Sequence, residues 1–529
     1  MRLVVDLPRC QGYGQCAFAA PEVFRMRGDE GLLYEPNPGD GQREKVLRAA
    51  AACPVRAIVL DHRAGEATAA GTTRAPHASA GVERIVIVGA SLAGLRAAHA
   101  LRREGFAGSL TVIGDEPHEP YDRIPLSKQA LTGWTSAQRT ALPRSGGLDA
   151  DWRLGQPAIG LDRRHKRVVL ADGEQVAFDR LMIATGVRAR PWPKADEAAL
   201  DGLCTVRSRD DATALQQRLA AHPGHVLVIG AGFIGSEVAS ECCELGLPVT
   251  VVDRGPVPLA GALGAAVGRI AAQMQREAGV DLRCGMSVAA LEGDADGRVR
   301  RARLSDGSML DVDVAVAALG AKRNVEWLDG SGLAAGRWGV TCDAGCRAFD
   351  VNGVVTDDIF VAGDVARFPH PVYDYQLMAL EHWGNAFDQA EVAAHNMISA
   401  GPDRWAHIVL PVFWSTQFGT EIKSIGVPTF ADEVVLTQGS TADRRFVAAY
   451  GRQGRITAAV TFDQGMWLEF YGRLIEQAAP FPPRLRTVDP PSTRRPVPAE
   501  IREAPPVHAT VTLTGHQPSE RHAVLVDRA

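Results

Sequence analysis

The stretch RIVIVGASLAG at residues 84–94 decides the fold of most of this chain. Residues 85–88 form a continuous apolar run, which is typical of a strand buried in a parallel sheet, and a glycine turn leads into helical apolar spacing at residues 95–101. Residues 226–229 and the turn after them repeat this design about 140 residues further on. Two copies of one strand–turn–helix unit predict two doubly wound, Rossmann-like α/β domains.

The first glycine turn runs from Gly89 to Gly94 and has the order of a pyrophosphate-binding loop, in which backbone N–H groups and a helix N-terminus meet the phosphates. Ser91 replaces the second glycine of the usual pattern, and this crowds the closest backbone approach and weakens the motif taken alone. Asp115 or Glu116, after the next apolar run, is placed to accept a hydrogen bond from a ribose. The alternative is a glycine turn that serves packing only.

The second turn, GAGFIG, has the complete pattern and comprises Gly230, Gly232, Ile234 and Gly235. Asp253 follows about 20 residues later. An acidic residue at this point accepts a hydrogen bond from a ribose 2′-hydroxyl and repels a 2′-phosphate, so NADH is favoured over NADPH. The neighbouring Arg254 would weaken that preference, because a guanidinium binds phosphate.

A third motif lies near the N-terminus, where CQGYGQC at residues 10–16 supplies two cysteines and a Cys-Pro pair follows at Cys53. Thiolates that converge from a glycine-rich loop suit an iron–sulfur cluster, because glycines let backbone N–H groups approach the sulfides. The three ligands Cys10, Cys16 and Cys53, with Tyr13 where a further cysteine would stand, favour [3Fe–4S]. The alternatives are [4Fe–4S] with a non-cysteine fourth ligand and three buried cysteines without a cofactor. Zinc is disfavoured because no CxxC pair is present.

The composition excludes several classes of function. The chain has 529 residues, enough for three or four domains, and 57 Lys and Arg against 62 Asp and Glu give a formal net charge of −5. We therefore expect no nucleic-acid partner. No run of about 18 apolar residues occurs, so we expect no membrane span. Nine cysteines without a signal peptide favour reduced thiols or metal ligands in a cytoplasm.

The predicted organisation, in chain order, is a small α+β iron–sulfur domain (1–62), a flexible Ala-, Gly- and Thr-rich linker (63–81), the first dinucleotide-binding domain (82–192 and 321–402) with the second inserted in it (193–320), an α+β C-terminal interface domain with an antiparallel sheet (403–477), and a tail (478–529). Ten of the 32 prolines lie in the last 50 residues, so we expect a mostly extended tail. Two short β-like segments in it, 510–514 and 522–526, would as the alternative pair as a hairpin or dock as an edge strand.

Residues 1–62 resemble the small bacterial ferredoxins that serve cytochromes P450, through RCQGYGQC, the APEVF after it and the closing CPVRAI. From residue 84 to about 477 the chain resembles the ferredoxin and putidaredoxin reductases of oxygenase systems, within the glutathione-reductase-like flavoproteins. The segments that carry this resemblance are GDEP (114–117), PYDRIPLSK (120–128), MIATG (182–186), VRSRDDA (206–212), TDDIFVAGD (356–364), EHWGNA (381–386) and FWS (413–415). Ile124 stands where these reductases usually have a second proline.

The resemblance implies a set of site residues. FAD would be bound by Gly89, Ser91, Ala93, Gly94, Asp115 or Glu116, Arg123, Lys128, Ala158, Arg207, Asp364, Trp383 and Trp414, and NAD by Gly230, Gly232, Ile234, Gly235, Asp253 and Gly320. Asp364 would hold the ribityl chain. Lys128 would lie near flavin N5 and pair with Glu237, because a cation there stabilises reduced flavin. Trp383 and Trp414 would cover the isoalloxazine or the path to the cluster, with ordinary core packing as the alternative.

The expected function follows from the cysteines that the reductase part of the sequence lacks. No cysteine lies between Cys53 and Cys204, so the redox-active pair of disulfide reductases is absent from the sequence. NADH gives two electrons as hydride, a cluster accepts one at a time, and a flavin exchanges electrons in either way. We therefore expect an NADH-dependent ferredoxin reductase fused to its own ferredoxin, which passes electrons from NADH through FAD and the cluster to an external acceptor. By resemblance, that acceptor is a cytochrome P450 or another oxygenase.

Two other functions fit the same motifs. The cluster would serve as a sensor that regulates a flavoenzyme acting on a small oxidant, or the chain would be a flavin-bound signalling protein without activity.

If the protein transfers electrons, the fusion of the two parts predicts how the transfer depends on salt. Residues 1–62 contain eight Lys or Arg and eight Asp or Glu, a balance that suits a partner held by a tether rather than by charge. Transfer from flavin to cluster is then expected to depend weakly on ionic strength.

Overall fold

The structure is a computed structural model that describes residues 1–60, 81–143 and 148–483, together with the backbone of three short strands in the tail. The predicted linker, except for its last residue, lies outside the described residues. Within the described residues, no helix is both long and apolar enough to cross a membrane.

The N-terminal unit is a small α+β domain whose elements are β1 (Leu3–Val5), α1 (Gln15–Ala19), β2 (Phe24–Arg27), β3 (Gly31–Tyr34), α2 (Arg43–Ala52) and β4 (Ile58–Leu60). β1 pairs with β4 and β2 pairs with β3, both antiparallel. A single apolar core that includes Leu3, Phe24 and Val46 lies between the strand pairs and the helices. Because Cys16 lies in α1 and Cys53 directly follows α2, two packed helices fix the positions of these cysteines.

The next part of the chain comprises β5 (Arg84–Val88), α3 (Leu92–Arg103), β6 (Ser109–Ile113), β7 (Asp151–Arg153), β8 (Ala158–Asp162), β9 (Arg167–Leu170), β10 (Gln175–Ala177), β11 (Arg180–Ile183) and β12 (Val187–Ala189). It is followed by α4 (Ala195–Ala198), β13 (Leu203–Cys204), α5 (Arg209–Ala220), β14 (Val226–Ile229), α6 (Phe233–Glu244), β15 (Val249–Asp253), α7 (Ala260–Glu277), β16 (Asp281–Cys284), β17 (Val288–Gly293), β18 (Val299–Leu304), β19 (Met309–Asp311) and β20 (Val314–Ala317). Strands β13, β20, β14, β15 and β16 form, in that order, a parallel sheet.

The chain then returns to the first sheet through β21 (Ala321–Arg323), β22 (Ala335–Gly336), β23 (Gly339–Thr341), β24 (Arg347–Phe349), β25 (Val355–Val361), β26 (Ala366–Pro369), β27 (Leu377–Met378) and α8 (Trp383–Ile398). The first sheet has the order β24-β25-β11-β5-β6-β7, and all of its pairs are parallel except β24 with β25. Helices α3 and α8 pack against each other beside this sheet. The carboxyl ends of β5 and β14 therefore each deliver a glycine turn to a helix, as the sequence predicted.

The C-terminal domain contains β28 (Val412–Gln417), β29 (Thr420–Gly426), β30 (Glu433–Ser440), β31 (Arg445–Arg452), β32 (Arg455–Phe462) and α9 (Leu468–Glu476). These strands form an antiparallel sheet of order β28-β29-β32-β31-β30, and α9 packs on it. The predicted fold class is confirmed: two Rossmann-like α/β domains, an α+β C-terminal domain and a small N-terminal α+β domain.

The tail departs from the expectation of an extended segment. β33 (Arg494–Pro496) adds to the edge of the C-terminal sheet beside β30, and β34 (Ala509–Thr514) pairs antiparallel with β35 (His522–Asp527). The prediction of a mostly extended tail is therefore wrong for these segments, and the alternative of a hairpin is observed. The reason is local, since both hairpin strands alternate β-branched and apolar residues and contain no proline.

Candidate flavin, nucleotide and cluster sites

A cavity of about 260 Å³ opens at the end of β5, between the first dinucleotide domain, helix α6 and the C-terminal sheet. Ser91 forms the N-cap of α3 without a side-chain hydrogen bond, so the backbone N–H groups of the first helical turn remain available to an anion. The residues expected at the first dinucleotide that line this cavity are Ser91, Ala93, Arg123, Lys128, Arg207, Asp364, Trp383 and Trp414.

The remaining residues expected at this site lie around the cavity rather than in it. Gly89 lies in the turn after β5 and Gly94 in the first turn of α3, where a Cβ would lie 1.9 Å from the carbonyl oxygen of Gly89. Glu116 is held by ionic and hydrogen bonds from Arg123 and Tyr121, and its pKa is lowered, because these partners outweigh the effect of burial. Asp115 is exposed at the end of β6 and is the more accessible of the two candidate ribose ligands. Ala158 starts β8, in a separate three-stranded sheet that packs against the same core.

The centre of the cavity holds a buried ion pair between Lys128 Nζ and Glu237 Oε1. Ser127 Oγ donates a hydrogen bond to Glu237 Oε2 over 2.5 Å, and Ser415 Oγ donates to Oε1 over 2.6 Å. Both serines lie in segments that carry the resemblance, yet sequence analysis gave them no role, because they are 110 and 178 residues from Glu237. Three segments of the chain thus meet at one carboxylate and fix the position of the lysine.

A second ion pair lies further along the cavity, where Arg207 Nη2 contacts Asp364 Oδ2 at 3.1 Å. Arg207 Nε also donates to the carbonyl oxygen of Val187 over 3.0 Å, and Arg123 Nη1 donates to the carbonyl oxygen of Arg207 over 2.9 Å. Because Val187 holds the guanidinium of Arg207 and Arg123 holds its backbone, Asp364 is presented to the cavity in a fixed orientation.

The rings over the cavity come from α8 and β28. Trp383 and Trp414 meet edge to face, with ring centroids 6.3 Å apart. His382 precedes Trp383, and burial lowers the pKa of its imidazole to about 4, so it is neutral at physiological pH. Sequence analysis missed this histidine, since nothing in the sequence indicates its burial.

Unpaired buried polar atoms test whether the cavity fits FAD. Arg123 Nε, His382 Nδ1 and Trp383 Nε1 have no hydrogen-bond partner among the described residues, although all three side chains line the cavity. Unpaired buried polar groups are costly, so such positions point to a ligand that supplies hydrogen-bonding groups. The phosphates, hydroxyls and flavin edge of FAD have that chemistry, and the residues present fit this cofactor.

The second glycine turn stands beside the same cavity. A Cβ at Gly235 would lie 1.9 Å from the carbonyl oxygen of Gly230, so only glycine allows α6 to start this close to the turn. Gly232 faces open space and caps α6 without a side-chain bond, which leaves its first N–H groups available to a pyrophosphate. Ile234, 41% exposed, lines the flavin cavity, so a ligand on this loop would reach the flavin.

The acidic residue of this site, Asp253, accepts hydrogen bonds from the backbone. Asp253 ends β15, and its Oδ2 accepts the N–H of Ala231 over 2.7 Å while Oδ1 accepts the N–H of Gly255 over 2.6 Å. The carboxylate therefore orders the glycine loop, and each of its oxygens accepts one backbone N–H. Gly320, also expected at this site, is exposed with φ +81° and directly precedes β21.

The three N-terminal cysteines surround one small cavity of about 20 Å³, together with Tyr13 and Met26. All three are half-buried free thiols, and burial raises the pKa of Cys16 to about 11. In the part of the chain that is described, no three His, Cys, Asp or Glu side chains are arranged to hold a metal ion. The thiolates of a cluster bind different irons and so need not converge as tightly as the ligands of one ion. Three thiols around one cavity that Tyr13 also lines fit a cluster rather than a mononuclear site.

The iron–sulfur domain is docked on the reductase part through its β2–β3 hairpin and the start of its cysteine loop. Arg27 forms ion pairs with Glu241 and Glu244 on α6. Tyr34 Oη donates to Asp122 Oδ2 over 2.5 Å. Trp414 both lines the flavin cavity and packs against the core of the iron–sulfur domain. Ile124 does the same, so Trp414 and Ile124 lie between the cavity and the core of the iron–sulfur domain.

Comparison with known proteins agrees with this architecture. Residues 83–390 match the pyridine nucleotide-disulphide oxidoreductase family, residues 412–493 the reductase C-terminal family, and residues 5–60 the 4Fe-4S single cluster domain of ferredoxin I. The probable ferredoxin reductase CtmF of Castellaniella defragrans is 36% identical over 387 residues, which span 72% of this chain and 90% of that protein. Putidaredoxin reductase CamA of Pseudomonas putida is 30% identical over 417 residues, 76% of this chain and 94% of that one.

A solved structure of the covalent putidaredoxin reductase–putidaredoxin complex matches with a TM-score of 0.70 at 28% identity, covering 75% of this chain and 94% of the other. The chain therefore belongs to the pyridine nucleotide-disulphide oxidoreductases. Within that family it is an FAD-dependent ferredoxin–NAD(P)⁺ reductase, and it carries an N-terminal iron–sulfur domain of the ferredoxin type.

Proposed function

We propose that this chain is an NADH-dependent reductase that delivers electrons to a cluster of its own. Hydride from NADH would reach FAD in the cavity at Lys128, and single electrons would pass to a cluster bound by Cys10, Cys16 and Cys53. From there they would go to an external acceptor, a cytochrome P450 or another oxygenase. Asp253 supports NADH over NADPH, and three cysteine ligands support [3Fe–4S] over [4Fe–4S].

The observation that carries this proposal is the position of Trp414. Its ring lines the flavin cavity and packs against the core of the iron–sulfur domain. Putidaredoxin reductase and putidaredoxin, in the structure that resembles this chain, are separate proteins joined covalently. In this chain the two domains belong to one polypeptide, and the hydrogen bond from Lys423 to Cys10 supports a transfer of electrons between them.

The chain's own residues would prepare the cavity for hydride transfer. Ser127 and Ser415 fix Glu237, and Glu237 fixes the ammonium of Lys128, which would stabilise the negative charge of a reduced flavin. FAD would supply the redox chemistry. Arg207 and Asp364 would orient the ribityl chain, and the two tryptophans would exclude water. Nine free cysteines and an NADH donor support a cytoplasmic location.

The test is EPR spectroscopy of the purified protein before and after NADH, with absorbance of the flavin recorded in parallel. We expect an oxidised [3Fe–4S] signal that NADH abolishes. Cys16→Ser should lose the cluster but still show bleaching of the flavin by NADH, whereas the control Cys204→Ser should retain both. A cluster signal that NADH leaves unchanged while the flavin is reduced would contradict the proposal and favour a sensing role for the cluster.

A further inference from the structure

The iron–sulfur domain presents two different faces beside its cysteines. The loop start faces the reductase, where Lys423 Nζ donates to the carbonyl oxygen of Cys10 over 2.7 Å. The rest of the loop turns away from it, since Tyr13 is 61% exposed and Phe18, two residues after Cys16 on α1, is 89% exposed. Exposed aromatic side chains of this size next to a functional loop are characteristic of interaction surfaces.

Helix α2 extends this exposed surface. It packs against α1, ends at the residue before Cys53, and exposes Leu47 and Arg48. We call Tyr13, Phe18, Leu47 and Arg48 the outer face. The outer face lies on the α1–α2 side of the domain, whereas the contacts with the reductase come from the β2–β3 hairpin, from the start of the cysteine loop and from β1, where Val4 packs with Leu95 and Leu142.

Docking also separates the charges of the domain. The acidic side chains on the hairpin side are engaged by the reductase: Asp29 pairs with Arg445 at 2.5 Å, Glu30 accepts the N–H of Gly465 over 2.9 Å, and Glu35 accepts Thr135 Oγ1 over 2.6 Å. Helix α2, in contrast, carries three basic residues and one acidic residue, and although Lys45 is paired with Glu22 at 2.8 Å, Arg43 and Arg48 still outnumber Glu44. The docked domain therefore presents a basic and apolar outer face to solvent.

We propose that the outer face is the docking site for the external electron acceptor and that the acceptor binds while the iron–sulfur domain stays docked on the reductase. The partner with complementary chemistry is a one-electron acceptor protein with an apolar patch and acidic residues around its cofactor edge. Each encounter transfers one electron from the reduced cluster to the acceptor, so one NADH serves two acceptor molecules. This inference rests on the proposed function and adds the route by which electrons leave.

The experiment uses the full chain with its cofactors and two haem proteins of opposite charge, acidic cytochrome b5 and basic cytochrome c. Calorimetric titration of the oxidised protein at low ionic strength measures binding, and anaerobic stopped-flow mixing measures reduction of the haem. We expect Phe18→Gln and Arg48→Glu each to weaken binding of cytochrome b5 by about fivefold or more and to slow its reduction to a similar extent. The controls Val351→Gln and Arg164→Glu, both exposed on the first dinucleotide domain, should change neither value by more than about twofold.

Three results would overturn the inference: unchanged binding of cytochrome b5 by both outer-face variants, tighter binding of cytochrome c than of cytochrome b5 by the wild type, or faster reduction of cytochrome b5 by Arg27→Gln. The last result would mean that the domain must leave the reductase before it meets the acceptor. Failure of the proposed function has a different signature, because the cluster would then stay oxidised after NADH. The calorimetric binding measurements would still test the outer face as a docking site, since binding needs no electron transfer.

Discussion

Lys423 Nζ, on β29 of the C-terminal domain, donates a 2.7 Å hydrogen bond to the carbonyl oxygen of Cys10 in the cysteine loop. The lysine is almost completely buried, and Glu421 lies buried beside it on the same strand. Because charges interact strongly where water is excluded, the reductase contributes a positive charge close to the proposed cluster. An isolated domain of residues 1–62 would lack that charge.

Replacing Lys423 with Gln keeps a hydrogen-bond donor and removes the charge. A nearby cation stabilises the reduced cluster, so we expect its midpoint potential to fall by on the order of 50 mV in the variant. EPR-monitored redox titration of the full protein measures this. The control is Lys166→Gln, an exposed lysine on the first dinucleotide domain. An unchanged potential in Lys423→Gln would show that the ammonium does not act on the cluster.

Arg27 is expected to hold the iron–sulfur domain on α6. Its guanidinium and the Glu241 carboxylate are 11% and 1% exposed, and burial raises the pKa of Glu241 to about 7 although Arg27 acts in the opposite direction. Arg27→Ala leaves that carboxyl without its partner, at a cost to docking on the order of 2 kcal/mol. Transfer from flavin to cluster should slow by about tenfold or more, while reduction of the flavin by NADH stays normal.

The neighbouring Arg25 offers a matched control, because it is exposed on the same strand. Arg25→Ala should leave both rates unchanged, and equal effects of the two variants would refute a specific role for Arg27. Hydrogen exchange across α6 gives a second readout, with faster exchange expected only in Arg27→Ala.

Ionic strength should have a small effect on transfer from flavin to cluster. The two domains are tethered, and the Arg27–Glu241 pair is shielded from solvent, so mobile ions screen it weakly. We expect the stopped-flow rate to change by less than about tenfold between low and high salt. A steeper dependence would show that the domains separate and find each other again through exposed charges.

Asp253→Ala should affect the nicotinamide cofactor in two ways. The variant loses an acceptor for the ribose and the two backbone hydrogen bonds to Ala231 and Gly255, so we expect KM for NADH to rise by about tenfold with a smaller change in kcat. The preference for NADH over NADPH should shrink, because the repulsion of a 2′-phosphate disappears. Steady-state kinetics with both cofactors measures this, with exposed Asp311→Ala as the control. An unchanged ratio would exclude Asp253 as the selecting residue.

Stability should fall in mild acid partly because of His407. Burial lowers the pKa of its imidazole to about 4, whereas an unfolded histidine titrates near 6.5. Between these values the unfolded chain binds a proton that the folded chain does not, so stability decreases as the pH falls through this window. We expect His407→Gln to lose less stability than the wild type between pH 7 and pH 5, by about 1–2 kcal/mol.

The change in urea midpoint between pH 7 and pH 5 measures this difference. His165→Gln, a substitution of an exposed histidine, should keep the pH dependence of the wild type. If His407→Gln also kept it, the imidazole would be protonated in the folded state or would have an ordinary pKa.

Local patterns in the sequence were sufficient for the fold class and for the two glycine turns. Strand, turn and helix of each unit lie within about 20 residues, so the apolar run before Gly89 or Gly230 already encodes the geometry. The sequence could not predict the hydrogen-bond partners of Glu237, because Ser127 and Ser415 come from other domains. The sequence also could not predict the burial that keeps His382 neutral, since this burial depends on segments that meet only in the folded chain.

In the tail, the prediction failed although the residues that form the hairpin are close together in the sequence. The many prolines favoured an extended tail, but β34 and β35 fall between the prolines, where the alternation of side chains decides the structure. A count over 50 residues averaged out two segments of six residues each.

The sequence by itself determined the order of the domains, the two glycine turns and the CQGYGQC loop, because each of these features consists of residues that are neighbours along the chain. Only the tertiary structure decided how the iron–sulfur domain meets the reductase. Arg27 with Glu241, Lys423 with Cys10 and Trp414 with the core of that domain are contacts between residues far apart in sequence. They depend on shape and burial across several domains, and no spacing along the chain records them.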